Sequence, residues 1–113
     1  MRRPSRGDVW MVDLNPVVGR EQAGTRPAVV LSVDELNQSA ADLVMVLPLT
    51  SREKRVRSHV EVREREAGLA VRSFVKCEDI RSISTRRLER RLGSISADTL
   101  VSIEDRLRIL LGL

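Results

Sequence analysis

The chain has 113 residues and a formal net charge of +4, a size that suits one domain spanning residues 1–113 with a modest core. All but two of its 20 basic residues are arginines, a surplus that suits a polyanionic partner and equally keeps a surface soluble. With one Cys, one His and no run near the ~20 apolar residues of a bilayer span, the composition excludes an internal disulfide, a zinc site and a transmembrane helix.

The N-terminus carries Arg2, Arg3 and Arg6, but Asp8 and Asp13 interrupt the apolar run behind them, unlike a signal peptide. A cytoplasmic protein is expected. Val9–Leu14 reads as a first strand. Asn15–Pro16 then opens a long loop that runs through Gly19 and Gly24 to Pro27. Ala28–Val33 fits a buried strand, and Asp34 is placed to cap a short helical turn over Glu35–Ser39. Leu43–Leu49 is another apolar strand, followed by a charged, exposed loop at 52–57.

Val60 and Val62 alternate with His59 and Glu61, the pattern of a half-exposed strand. Leu69–Cys77 reads as a further strand, with Arg72, Phe74 and Lys76 on one face. Ile80–Ile83 extends the sheet after a break at Glu78–Asp79. The period then changes. Behind Ser96, Leu100, Ile103, Leu107 and Leu110 recur at helical spacing, Glu104 and Arg108 lie four apart on the solvent side, and Gly112 supplies a stop. Successive strands with short links predict a mainly β (α+β) domain, an antiparallel and partly closed small barrel with short helices and a C-terminal amphipathic helix.

No phosphate-cradling loop, dinucleotide fingerprint or Gly-x-Ser-x-Gly elbow occurs, so no cofactor and no metal are expected. Cys77 has no histidine beside it in sequence and reads as a packing residue. The segment from Asn15 to Ser32 has more specific content. Pro27 biases Arg26 towards an extended backbone and, lacking an N–H, suits the first residue of a strand. Two readings of Arg26 remain open: a planar fork for a phosphate, or an anchor paired with a carboxylate such as Glu21.

The stretch REQAGTRPAVVLS, preceded by GDVW and NPVVG, resembles the signature of the MazF/PemK toxin family. VLPLTS at 46–51, HVEV at 59–62, CEDIRSI at 77–83 and the terminal LLGL extend the resemblance over nearly the whole chain. It implies an SH3-like barrel, a homodimer, and metal-independent cleavage of single-stranded RNA by a toxin that a cognate antitoxin with an acidic C-terminal segment neutralises. The essential arginine of the family falls on Arg26 and its essential threonine on Thr50. The loop glutamate and glutamine fall on Glu21 and Gln22, and the serine closing the second strand on Ser32. Arg20, Ser51 and Arg52 flank these positions as RNA-binding candidates.

Two positions depart from the family pattern. Asp79 stands where many relatives carry glutamine, and an acid there would repel a nearby phosphate. The loop after Thr50 is rich in arginine, with Arg52, Arg55 and Arg57. Trp10 reads as core, so base stacking would fall to arginine planes or to Val17 and Val18. His59 invites a role as acid or base, but lies in a motif to which the family assigns no chemistry. Competing functions are a gyrase-directed toxin on the related CcdB-type fold and a non-catalytic RNA-binding module.

Overall fold

The computed structural model describes residues 3–16 and 18–113. Seven strands form one antiparallel sheet: β1 (Asp8–Asp13), β2 (Thr25–Val30), β3 (Leu43–Thr50), β4 (His59–Val62), β5 (Ser73–Lys76), β6 (Arg81–Ser84) and β7 (Leu88–Ser94). Two α-helices accompany them, α1 (Asp34–Asn37) and α2 (Ala97–Leu111). The strands run in the order β4-β5-β3-β2-β1-β7, with β6 pairing β3 off this path. Among the described residues β4 and β7 do not pair with each other, so the sheet is not closed, in line with the partly closed antiparallel arrangement expected.

Side chains alternate across a strand, and here both faces are buried. Val9, Val29, Leu47, Leu49 and Val75 gather on one face beneath Ile103 and Leu107 of α2. Their strand neighbours Trp10, Val12, Ala28, Val30, Val44 and Val46 gather on the other, with Ile83 and Leu88. Two-sided burial explains why β2 and β3 read as continuous apolar runs. The buried Asp8 carboxylate accepts from the Ser5 backbone N–H (2.9 Å), the Trp10 indole (3.2 Å), Arg91 Nε (3.2 Å) and the Ser94 hydroxyl (3.3 Å). The GDVW stretch is thus a structural knot, and Trp10 is core as expected.

The expected strand over 69–77 is much shorter. Glu66–Gly68 forms a tight 3-10 turn with Arg65, Ala67 and Gly68 at positive φ, and only Ser73–Lys76 is strand. Gly93 of β7 packs against this turn: a Cβ on Gly93 would stand 2.6 Å from the Ala67 carbonyl carbon, and one on Gly68 2.1 Å from the Leu92 oxygen. β5 and β6 both pair with β3, separated by a second 3-10 turn at Cys77–Asp79 that displaces Glu78 and Asp79 from the ladder.

Three local expectations change. Asp34 does not cap α1 but begins it, and its carboxylate accepts the Arg6 backbone N–H at 2.7 Å. Glu104 and Arg108 do not pair: Glu104 binds Arg6 at 2.6 Å, whereas Arg108 binds Asp105 at 3.1 Å. Of the helical apolar positions, Ile103 and Leu107 are buried, while Leu110 is exposed. Ser96 caps α2 by accepting the Thr99 N–H, and Gly112 ends it in the left-handed conformation.

Candidate active site

Arg26 lies inside β2, as its second residue, opposite Val12 of β1. Pro27 follows it just before the β2–β3 ladder begins at Ala28, a position that needs no N–H donor on that side. The loop between β1 and β2 is therefore shorter than expected, ending at Gly24. Arg26 is exposed, and its Nε donates to the Ala23 carbonyl at 3.3 Å. Thr50 ends β3 and is only 9% exposed, its Oγ1 accepting the Arg52 N–H at 3.2 Å.

The fold brings these two residues to one polar cleft of about 290 Å³. Arg20, Glu21 and Gln22 line it from the β1–β2 loop, and Ser51 and Arg52 from the segment after β3. Lys54 and Lys76 complete it, so five cationic side chains face a single carboxylate, that of Glu21. Glu21 does not pair with Arg26. Its carboxylate accepts the Val18 N–H at 2.7 Å, and the anchor reading of Arg26 loses its partner.

Ser32 is not in this cleft. It is buried, its hydroxyl donates to Asn37 Oδ1, and it accepts the Met45 N–H at 3.0 Å, so its contacts organise the turn after β2. Arg26, Thr50 and Ser51 also border a second cavity of about 360 Å³ with Met11, Leu49, Leu69 and Leu92 on its walls. The two candidate residues thus stand between a polar space and a largely apolar one.

Lys76 had no assigned role in the sequence. It is 8% exposed, and its Nζ lies 3.3 Å from Gln22 Oε1 and 3.9 Å from Asp79 Oδ2. The alternation that sets Lys76 on one face with Arg72 and Phe74 gives no sign that the loop folds over it. Asp79 is engaged by cations: besides Lys76, Arg81 Nη2 reaches both of its carboxylate oxygens at 3.1 Å. Its carboxylate is thus ion-paired inside the protein.

Phe74 faces Thr50 across the β3–β5 ladder, and the Arg72 guanidinium lies 4.9 Å from its ring centroid, held by Glu61 at 2.8 Å. Val18 is exposed, and Val17 lies outside the described residues. His59 is opposite Lys76 on β4, with its side chain 4% exposed and Nε2 3.0 Å from Glu78. Burial disfavours the Glu78 carboxylate, but its own backbone N–H, His59 and Ser58 outweigh that and hold its pKa below the usual range. Cys77 is buried, and desolvation, reinforced by Glu78, pushes its thiol up to about 12 against a small opposing pull from Arg106. Such a thiol is no nucleophile at neutral pH. Among the described residues no three His, Cys, Asp or Glu side chains group as metal ligands, and no helix is long and apolar enough to cross a membrane.

Comparison with known proteins follows the same lines. Residues 5–111 match the family described as PemK-like, MazF-like toxin of type II toxin–antitoxin system. The chain is 39% identical to Endoribonuclease MazF9 of Mycobacterium tuberculosis, over 96% of each chain. It is similar in structure to MazF from Deinococcus radiodurans, with a TM-score of 0.88, 33% identity and full coverage of both chains. A MazE–MazF structure from the same organism gives a TM-score of 0.80 at 29% identity, covering 100% of this chain and 99% of that one. By sequence and by fold, this chain belongs to the PemK/MazF family of toxins.

Proposed function

We propose that residues 1–113 form one endoribonuclease domain, a toxin that cleaves single-stranded RNA sequence-selectively and without a metal ion. The observation that carries this reading is the cleft itself, which Arg26 and Thr50 line together with four further cations and the Glu21 carboxylate. A relative named as an endoribonuclease, aligned over 96% of the chain, supports it further and lends nothing to the gyrase-directed or non-catalytic readings.

RNA carries its own nucleophile, the 2′-hydroxyl. Glu21 accepts its proton as the oxygen attacks phosphorus, and the bond to the 5′-oxygen breaks as that oxygen takes a proton from water. The products are a 2′,3′-cyclic phosphate and a 5′-hydroxyl. A guanidinium gives up its proton too reluctantly to act as an acid, so Arg26 works by charge, offering a planar fork to the phosphate as negative charge builds. The Thr50 hydroxyl donates to a non-bridging oxygen. Gln22, Ser51, Arg20 and Arg52 bind the flanking nucleotides, phosphates above all.

The partner proteins follow from the same surface. The family description names toxin–antitoxin systems, and a similar structure holds MazF together with MazE. An acidic, disordered antitoxin segment laid in the cleft satisfies Arg20, Arg26 and Arg52 as RNA phosphates do. A homodimer belongs to this reading, because Val101, Ile109 and Leu111 of α2 are exposed apolar surface that a second copy would cover. The protein acts in the cytoplasm, where its RNA is.

The test is incubation of the purified protein with labelled single-stranded RNA in excess EDTA. Cleavage is expected, with duplex RNA left largely intact. Arg26→Ala should abolish it in a folded protein, and Thr50→Ala should slow it by about 10²–10³, the usual worth of a donor aimed at developing charge. Activity that requires a divalent ion, or near-native cleavage by folded Arg26→Ala, overturns the mechanism.

A further inference from the structure

The loop that carries Glu21 and Gln22 is held by one ion pair more than 50 residues away in sequence. Asp79 Oδ2 accepts the Gln22 backbone N–H at 2.9 Å. Arg81 Nη2 donates to the Gln22 carbonyl at 3.1 Å and to both Asp79 oxygens at 3.1 Å. Arg81 Nη1 points at the Leu14 carbonyl, 3.5 Å away. Both backbone polar groups of one loop residue are therefore taken by two side chains that also bind each other. Each of those side chains is 14% exposed, so water competes weakly for them.

This arrangement depends on the 3-10 turn at Cys77–Asp79. By interrupting the chain between β5 and β6, which both pair with β3, the turn takes Asp79 off the ladder and leaves Arg81 as the first residue of β6. Neither residue lines the cleft that holds Arg26 and Thr50. Their contacts reach it through Gln22 and through Lys76, which bonds the Gln22 side chain.

We propose that Asp79 and Arg81 are positioning residues that latch the β1–β2 loop, setting Glu21 and Gln22 against Arg26 and Thr50. The proposal rests on the reading of the cleft as a ribonuclease site, but the latch itself has a readout that needs no RNA. Charge-assisted bonds to both the N–H and the carbonyl fix the Gln22 peptide more firmly than neutral ones. Because the pair is shielded, removing one member leaves the other uncompensated, and the loop rather than the sheet absorbs the loss.

The experiment compares the full chain with Asp79→Ala, Asp79→Asn and Arg26→Ala, using amide hydrogen exchange without RNA and steady-state cleavage of a short single-stranded RNA. In Asp79→Ala the Gln22 amide should exchange at least about tenfold faster while β1, β2 and β3 keep their protection. Its kcat should fall by about tenfold or more with KM nearly unchanged, since misplacing a catalytic group costs the chemical step. Asp79→Asn keeps an acceptor for the Gln22 N–H and should recover part of both losses. Arg26→Ala should abolish cleavage and leave Gln22 protected. If Arg26→Ala cleaves normally, the reading of the cleft fails while the exchange result still decides the latch. Native Gln22 protection and native kcat in Asp79→Ala overturn the latch, as does faster exchange spread evenly over the whole sheet.

Discussion

Lys76 Nζ sits 3.3 Å from Gln22 Oε1, a contact between residues 54 positions apart that closes the floor of the cleft. Its ammonium faces the same space as Arg26 and Thr50. Lys76→Met should slow cleavage by about tenfold, less than the loss of a donor aimed directly at the reacting phosphate. It should also flatten the salt dependence of RNA binding by about one unit of log-log slope, whereas Lys76→Arg keeps it. Binding titrations from low to high salt read this directly, and an unchanged slope removes Lys76 from the RNA contacts.

The turn at 65–68 and Gly93 of β7 meet without room for a side chain. A Cβ at Gly93 would press on backbone atoms of Ala67, and one at Gly68 on the Leu92 carbonyl, where φ is already +74°. Gly93→Ala and Gly68→Ala should each lower stability by at least about 1–3 kcal/mol in urea unfolding, the range of overpacked sites. Gly24→Ala, with φ +81° and open space around it, should cost less than Gly68→Ala, which combines both penalties.

Glu66 ties that turn to the start of α2. Burial opposes its charge, but the Thr99 hydroxyl and the backbone N–H groups of Ser96 and Arg63 outweigh this and lower its pKa. A carboxyl depressed in the folded state adds stability above its unfolded pKa, and that stability is lost as pH falls through the folded value. Glu66→Gln should therefore destabilise the protein at pH 7 and lose most of that difference once pH lies below the carboxyl range. Unfolding curves of both proteins at neutral and acid pH test the sign, and a gap that widens in acid contradicts it.

Cys77 offers a chemical check on the core. With its thiol pushed up to about 12, alkylation of the folded protein at pH 8 should be slow and should become fast in urea. Cys77→Ala should keep its cleavage activity. Rapid alkylation of the native protein would show that this part of the core opens.

What could be read from the residues alone divides along physical lines. β4 and α2 bury one face and expose the other, so their periodic patterns are legible, and β1 is legible as a run of β-favouring residues buried on both faces. The 69–77 stretch was over-read: Leu69 and Val71 have strand propensity, but residues 65–68 form a left-handed turn that only the approach of β7 makes necessary. Asp34 has a type that favours a cap, whereas the Arg6 N–H claims its carboxylate. Arg26 stands out through Pro27 as well as through the family resemblance, Thr50 and Gln22 through the resemblance alone, and the fold brings the three to one cleft. Ser32 came the same way and lies apart. Lys76 and the Asp79–Arg81 pair were invisible, since their partners are backbone and side-chain groups of a distant loop.

β7 escaped sequence reading altogether, and the reason has a consequence for the protein as a solute. Its residues are Leu-Glu-Arg-Arg-Leu-Gly-Ser, with a run of three charged side chains and no apolar period, and among the described residues the strand pairs with β1 alone. The outer edge of a sheet is a row of unsatisfied peptide groups that any extended chain could join. Glu89 and Arg90 flank that edge as exposed charges, which an incoming strand would have to crowd or desolvate. The composition that disguises β7 as a loop thus guards against runaway strand-to-strand growth, and neutralising it with valines or threonines would turn a tolerated boundary into a seed for aggregates.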